Sequence, residues 1–230
     1  MTDQPTALML FAAGFGTRMG ALTKDRPKPL IRVLNTPLID HALKLAAAIE
    51  PQKIVVNLHY RADMLADHLA PHSTVVTALE PEILETGGGL KAALPLLGSG
   101  PVYTLNPDAI WAGPNPLELL RAAWEPSRMD ALLMCIPVGQ TVGHSGDGDF
   151  STDPSGRIRR GSELVFCGAQ IVKTDGLADI PDRAFSLNLL WDKMLACNRL
   201  YAIPYPGRWC DVGHPDGIGL AEQMLADHNV

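Results

Sequence analysis

The chain has 230 residues, 47% of them hydrophobic and 19% charged, with a formal net charge of −6 and four cysteines. This size and composition suit one soluble domain, residues 1–230, with a core large enough to hold it together. The acidic balance excludes nucleic acid and anionic membrane as general partners, so an anionic ligand has to be captured by a local concentration of cations. Cys135, Cys167, Cys197 and Cys210 make no C-x-x-C pair and no secretory signal is read ahead of them, which puts the expected compartment in the reducing cytoplasm.

Apolar runs and amphipathic stretches alternate along the chain. A strand at 6–13 is followed by a helix at 37–49, a strand at 53–58 and a helix at 61–70. Then come a strand at 73–79, a Gly-started helix at 86–97, a strand at 101–106, a helix at 116–124 and a strand at 130–138. Repeated βα units with continuously apolar strands predict an α/β fold: a Rossmann-like, mostly parallel sheet with helices on both faces. From about 139 to 161 the sequence turns to Gly, Ser, Asp and Thr, a polar hairpin or loop excursion. Strands at 163–172 and 199–205 and helices at 188–196 and 218–228 complete the chain. Residues 139–172 are read as a small β excursion or lid beside the site. No apolar stretch approaches the roughly 18 residues of a membrane span.

The segment LFAAGFGTRMGALTKDRPKPL follows the first strand, at the edge of the sheet where α/β folds bind ligands. The window from Arg18 to Arg32, which runs two residues past this segment, holds five basic residues against one acid, a local charge of +4. Neither G-x-G-x-x-G nor G-x-x-x-x-G-K-[ST] is present. Glycines there let backbone N–H groups approach a phosphate, and Pro27 and Pro29 stiffen the backbone that presents Lys28.

This segment resembles the signature loop of the sugar-1-phosphate nucleotidyltransferases, L-x-A-G-x-G-T-R followed by Leu-Thr and P-K-P-L, and every position matches. The resemblance implies the nucleotide-diphospho-sugar transferase fold and a reaction joining a nucleoside triphosphate to a sugar 1-phosphate with release of pyrophosphate. It also implies nucleotide contacts from Ala13, Gly14, Gly16 and Thr17. Arg18 would meet the β- and γ-phosphates, and Lys28 those around the reacting centre.

Such a reaction needs charge neutralisation, so Mg²⁺ is the expected cofactor, with one or two protein carboxylates as ligands. Asp108 lies just beyond the strand at 101–106 and Asp211 precedes a Gly turn and a helix start. Both sit in contexts similar to the family's aspartate motifs, with Asn106 as the N of N-x-D. Pro107 stands where the family commonly has glycine. Arg18, Lys28 and Asp108 are thus the expected catalytic residues, and Asp108 and Asp211 the expected metal ligands.

LEPEILETGGGLKAAL (79–94) resembles the family's base and sugar segment, with Thr86, Gly87 and Gly88 offered to the nucleotide at a helix N-terminus. Its L-E-T-G-G form, with VNLHY, GDF, FCGAQIV, FSLNLLWD and RWCDVGHPDGI, is similar to a short subgroup that includes N-acetylmuramate-1-phosphate uridylyltransferases. UTP and N-acetylmuramate 1-phosphate are therefore the expected substrates, in peptidoglycan recycling. Asn106, Glu163, Gly168 and Asn188 are the implied sugar-side residues, Asn188 being equally a helix N-cap. No E-K-P motif is present, so the sugar phosphate falls to His144, Arg157 or Arg160. Trp191 and Trp209 read as core aromatics. A mannose-1-phosphate guanylyltransferase and a catalytically silent nucleotide-sensing subunit are the alternatives, and the absence of a β-helix tail favours a monomer.

Overall fold

The computed structural model describes residues 3–228. Its strands are β1 (Ala7–Phe11), β2 (Arg32–Val33), β3 (Thr36–Pro37), β4 (Lys53–Leu58), β5 (Val75–Leu79), β6 (Val102–Leu105) and β7 (Ala109–Ala112). They continue as β8 (Ala131–Pro137), β9 (Thr141–Val142), β10 (Phe150–Thr152), β11 (Ile158–Arg160), β12 (Leu164–Val172), β13 (Leu200–Pro204) and β14 (Arg208–Asp211). The helices are α1 (Leu38–Ala47), α2 (Ala62–Leu69), α3 (Glu85–Leu97), α4 (Pro116–Ala123), α5 (Asn188–Ala196) and α6 (Asp216–His228).

The large sheet is mixed and mostly parallel. β1 lies between β4 and β6 in parallel, β5 extends the sheet beside β4, and β13 runs parallel to β8. β12 alone joins the two halves, antiparallel to both β6 and β8. No α-helix lies between β8 and β12, so no helical crossover forces it parallel. Alternate residues of the strands enter two cores, as continuous apolar runs require. Leu8, Leu10, Val56 and Leu132 pack with α1, α2 and α4, while Ala7, Met9, Val55 and Leu133 pack with α3 and α5.

The region 139–172 is not one hairpin. β9 leaves to pair with β14, β10 and β11 form a short hairpin, and β12 is central to the main sheet. A second sheet, β7-β14-β9, packs with α6 over a third apolar cluster that includes Met19 and Ile31 of the glycine-rich loop. Met19 is fully buried, so the loop is anchored from beneath while Gly14, Thr17 and Arg18 stay exposed.

Helix α3 starts against a neighbouring segment. The N–H groups of Gly87 and Gly88 donate to the carbonyl of Phe185, at 2.8 and 3.0 Å. A Cβ on Gly88 would collide with the backbone carbonyl of Arg183. Gly88→Ala is therefore expected to destabilise the protein by about 1–3 kcal/mol through overpacking. A urea titration reads this as a lower midpoint at unchanged slope, and an unshifted midpoint would contradict the packing described.

Candidate active site

Three cavities of about 330, 220 and 200 Å³ open at the carboxyl ends of β1, β4 and β6, and Phe11 and Asp108 line all three. Asp108 therefore stands where the compartments meet. The smallest is bounded by Ala13, Gly14, Thr86 and Asn106, the middle one by Gly14, Gly16, Thr17, Arg18 and Lys28. The largest holds Arg18, Asn106, Gly168, Asn188 and Asp211.

The middle compartment is cationic because the loop folds back on itself. Thr23 Oγ1 donates to the carbonyls of Gly16 and Gly20, at 3.1 and 3.2 Å, and closes the 3-10 turn that carries Arg18. A second 3-10 turn, begun after Pro27, aims Lys28 inward. Lys28 Nζ donates to Asp108 Oδ2 at 2.7 Å.

Asp108 and Asp211 lie about 100 residues apart in sequence and are joined by the β7–β14 ladder. Ala109 pairs with Asp211, and the Val212 N–H donates to the Asp108 carbonyl at 2.9 Å. Burial, and then the carboxylate of Asp108, raise the Asp211 carboxyl above its ordinary range; Lys28, Arg18 and His144 pull the other way. Two adjacent, mutually repelling carboxylates that line the largest compartment together fit a hard divalent cation that takes oxygen donors.

In metal-free protein the raised Asp211 has a signed consequence. Its proton is held more tightly folded than unfolded. Wild type therefore loses stability relative to Asp211→Asn as pH rises from about 4 through the raised value. Paired denaturant titrations in chelator across that window are expected to show the difference growing with pH, and a flat difference would contradict the shift.

Gly168 opens the largest compartment. At φ 86° it interrupts the β12 register between Phe166 and Gln170, and its carbonyl accepts from the Asn106 N–H at 2.8 Å. A side chain there would meet Asn106 Cβ. Asn188 borders the compartment as the first residue of α5 but does not cap it. Leu187 stands at the N-cap, and the Ser186 hydroxyl accepts from the Asn188 N–H at 3.2 Å.

Glu163 is exposed and does not border the cleft; its backbone bridges Val138 and Phe150. Gly87 and Gly88 likewise fail to offer free amides, because the 183–185 segment covers them. Of the three residues considered for the sugar phosphate, Arg157 is engaged by Asp153 and Arg160 by Asp192, while His144, its Nε2 3.3 Å from the Asp147 carbonyl, is the one on the cleft wall. Trp191 and Trp209 are buried, yet both border the cleft.

A buried polar chain beneath this floor was not anticipated. Trp191 Nε1 donates to Gln170 Oε1 at 3.0 Å and Gln170 Nε2 to Thr104 Oγ1 at 3.1 Å. Its one visible signal is a glutamine inside an otherwise apolar nine-residue strand.

A nucleotide-sized cleft over a parallel sheet, cationic in its middle and carrying paired carboxylates, defines a nucleotidyltransferase of the nucleotide-diphospho-sugar fold. The chain belongs to the MobA-like NTP transferase family, whose model matches residues 8–148. N-acetylmuramate alpha-1-phosphate uridylyltransferase of Caulobacter vibrioides is 39% identical, over 99% of this chain and 100% of that one. The protein of the same name from Neisseria meningitidis is 32% identical over 89% of this chain and 92% of its own. A crystal structure of UDP-glucose pyrophosphorylase complexed with UDP-glucose superposes with a TM-score of 0.82 at 16% identity, covering 97% of this chain and 99% of that one.

Proposed function

We propose that the protein joins UTP to a sugar 1-phosphate, with N-acetylmuramate 1-phosphate as its substrate, and releases pyrophosphate. The observation that carries this reading is the position of Asp108 at the meeting point of three compartments, with Asp211 and Lys28 beside it. The choice of base and sugar rests on the uridylyltransferase relatives.

A phosphate oxygen of the sugar 1-phosphate attacks the α-phosphorus of UTP. The bond from that phosphorus to the bridging oxygen breaks, and pyrophosphate leaves with the electron pair. The attacking monoester is already largely ionised at pH 7, so no general base is needed. Ala13, Gly14 and Thr86 border the base and ribose, and Gly16, Thr17, Arg18 and Lys28 the phosphates. Asp108 and Asp211 would hold Mg²⁺, which when bound neutralises charge on the reacting phosphates. Asn106, Gly168 and Asn188 border the sugar, with His144 on the same wall as the imidazole for its phosphate. The protein acts as a cytoplasmic monomer in this reading. Among the described residues no helix is long and apolar enough to cross a membrane.

Pyrophosphate release with Mg²⁺ tests this, crossing UTP, GTP, CTP and dTTP against the 1-phosphates of N-acetylmuramate, N-acetylglucosamine, glucose and mannose. Turnover confined to UTP with the muramate sugar is expected. Preference for GTP and mannose 1-phosphate would replace the substrate assignment, and silence in every combination would overturn catalysis.

A further inference from the structure

The smallest compartment is walled by two side chains that the reaction as described does not use, Asn57 of the VNLHY segment and Glu80, the glutamate that opens the base and sugar segment. Both are buried, with 4% and 5% of their surface exposed. Asn57, near the carboxyl end of β4, uses both ends of its amide. Its Oδ1 accepts from the Ala12 N–H at 2.7 Å and its Nδ2 donates to Glu80 Oε1 at 2.7 Å. The other Glu80 oxygen accepts from the Leu84 N–H at 3.3 Å. One bond chain thus runs from the residue just past β1 through β4 to the segment that leads into α3.

The next residues of β4's end repeat this tie. His59 Nδ1 lies 2.8 Å from the Glu80 carbonyl, and the Tyr60 hydroxyl donates to the Thr23 carbonyl at 2.9 Å. Phe15, at the tip of the glycine-rich loop, meets His59 edge-on with ring centroids 5.4 Å apart.

We propose that Asn57, held by Glu80, is a positioning residue for the nucleobase: it fixes the gap between the Ala12–Gly14 backbone and the Glu80–Thr86 segment. The proposal rests on the reading that the triphosphate's base enters this compartment. The role assigned to Asn57 comes from the bonds it makes within the protein, one at each end of its amide, and not from contact with the base. Asn57 acts by holding two walls at one separation, and a wall displaced by a fraction of an ångström weakens every contact made between them. A buried carboxylate answered only by neutral donors is an expensive arrangement, retained here where it spans the cleft.

The test uses the full chain, with calorimetric binding of each of the four Mg-triphosphates in the absence of sugar phosphate, and with KM measured separately for both substrates. Asn57→Asp keeps the acceptor for Ala12 but sets two buried carboxylates against each other. It is expected to weaken UTP binding about tenfold or more and to leave KM for the sugar 1-phosphate unchanged. The double variant Asn57→Asp with Glu80→Gln exchanges donor and acceptor while preserving both bonds and the net charge. It is expected to restore UTP affinity to within about threefold of wild type.

A purely structural role would lower the melting temperature without that split between the two KM values, and that result would overturn the proposal. Failure of the double variant to recover affinity would do the same. Should Asn57→Asp not fold, Asn57→Ala, which introduces no charge, carries the same binding measurement. Wild type that binds none of the triphosphates sinks the proposed function and the clamp together. Wild type that binds UTP, with Asn57→Asp binding it equally well, sinks the clamp alone.

Discussion

Asp108→Ala is expected to lower kcat for pyrophosphate release by at least about three orders of magnitude, because it removes a carboxylate ligand from the point where attacking and leaving oxygens must be neutralised together. The fold is expected to survive. What fixes residue 108 in place is its backbone, through the carbonyl that receives the Val212 N–H and the Ala109–Asp211 pairing, and neither uses the side chain. The cost to stability comes from Lys28, which loses a partner 2.7 Å away while its own side chain is only 11% exposed. Asp108→Asn separates the two effects: it preserves shape and an acceptor for Lys28 but not the charge a cation needs. Its kcat is expected to fall nearly as far as that of the alanine variant, with a smaller change in melting temperature. Pyrophosphate assays at saturating substrates, with thermal melts on the same samples, make the comparison. A wild-type rate in either variant would remove Asp108 from the reaction.

Elements with their own periodicity were legible in the sequence, and elements made by distant partners were not. The strands at 53–58 and 73–79 and the helices at 37–49 and 188–196 lie within two residues of those observed, because each carries enough apolar residues to declare a face. β1 stops at Phe11, two residues short of its apolar run, because the Ala12 N–H is taken by the Asn57 side chain. β7 and β14, four residues each, have no pattern of their own to read. Yet their pairing is what sets Asp108 beside Asp211, so strand ends and family resemblance pointed to the residues while only the fold could show why they meet.

The same limit explains the errors at the site. Gly87 and Gly88 look like an open helix N-terminus until the 183–185 segment, nearly 100 residues away, is laid across them. Asn188 looks like a cap, but α5 begins with it and Leu187 stands at the N-cap. The loop from Gly14 to Lys28 was legible because the bonds that turn its backbone are local, Thr23 to Gly16 and Gly20 and Ile31 to Lys28, although Lys28 and Thr23 also bond to distant Asp108 and Tyr60.

Arg18 offers the sharpest separation of binding chemistry from stability. Its guanidinium borders both the cationic and the largest compartments, and among the described residues no carboxylate lies within ion-pair distance of it. An exposed cation with no protein partner contributes little to folding, so Arg18→Ala is expected to change stability by no more than about 0.5 kcal/mol. Its loss is felt once a polyphosphate is present. The departing pyrophosphate gains charge as its bond to the α-phosphorus breaks, and a planar five-donor group placed beforehand stabilises that charge without reorganising. A decrease in kcat/KM for UTP of about 10²–10³-fold is expected. Arg18→Lys keeps the charge but gives up the fork, so it should recover only part of that loss. Steady-state kinetics varying UTP at fixed sugar phosphate decide the matter. Full recovery by lysine would mean that Arg18 acts as a point charge alone, and unchanged kcat/KM in the alanine variant would show that the phosphates do not pass this residue.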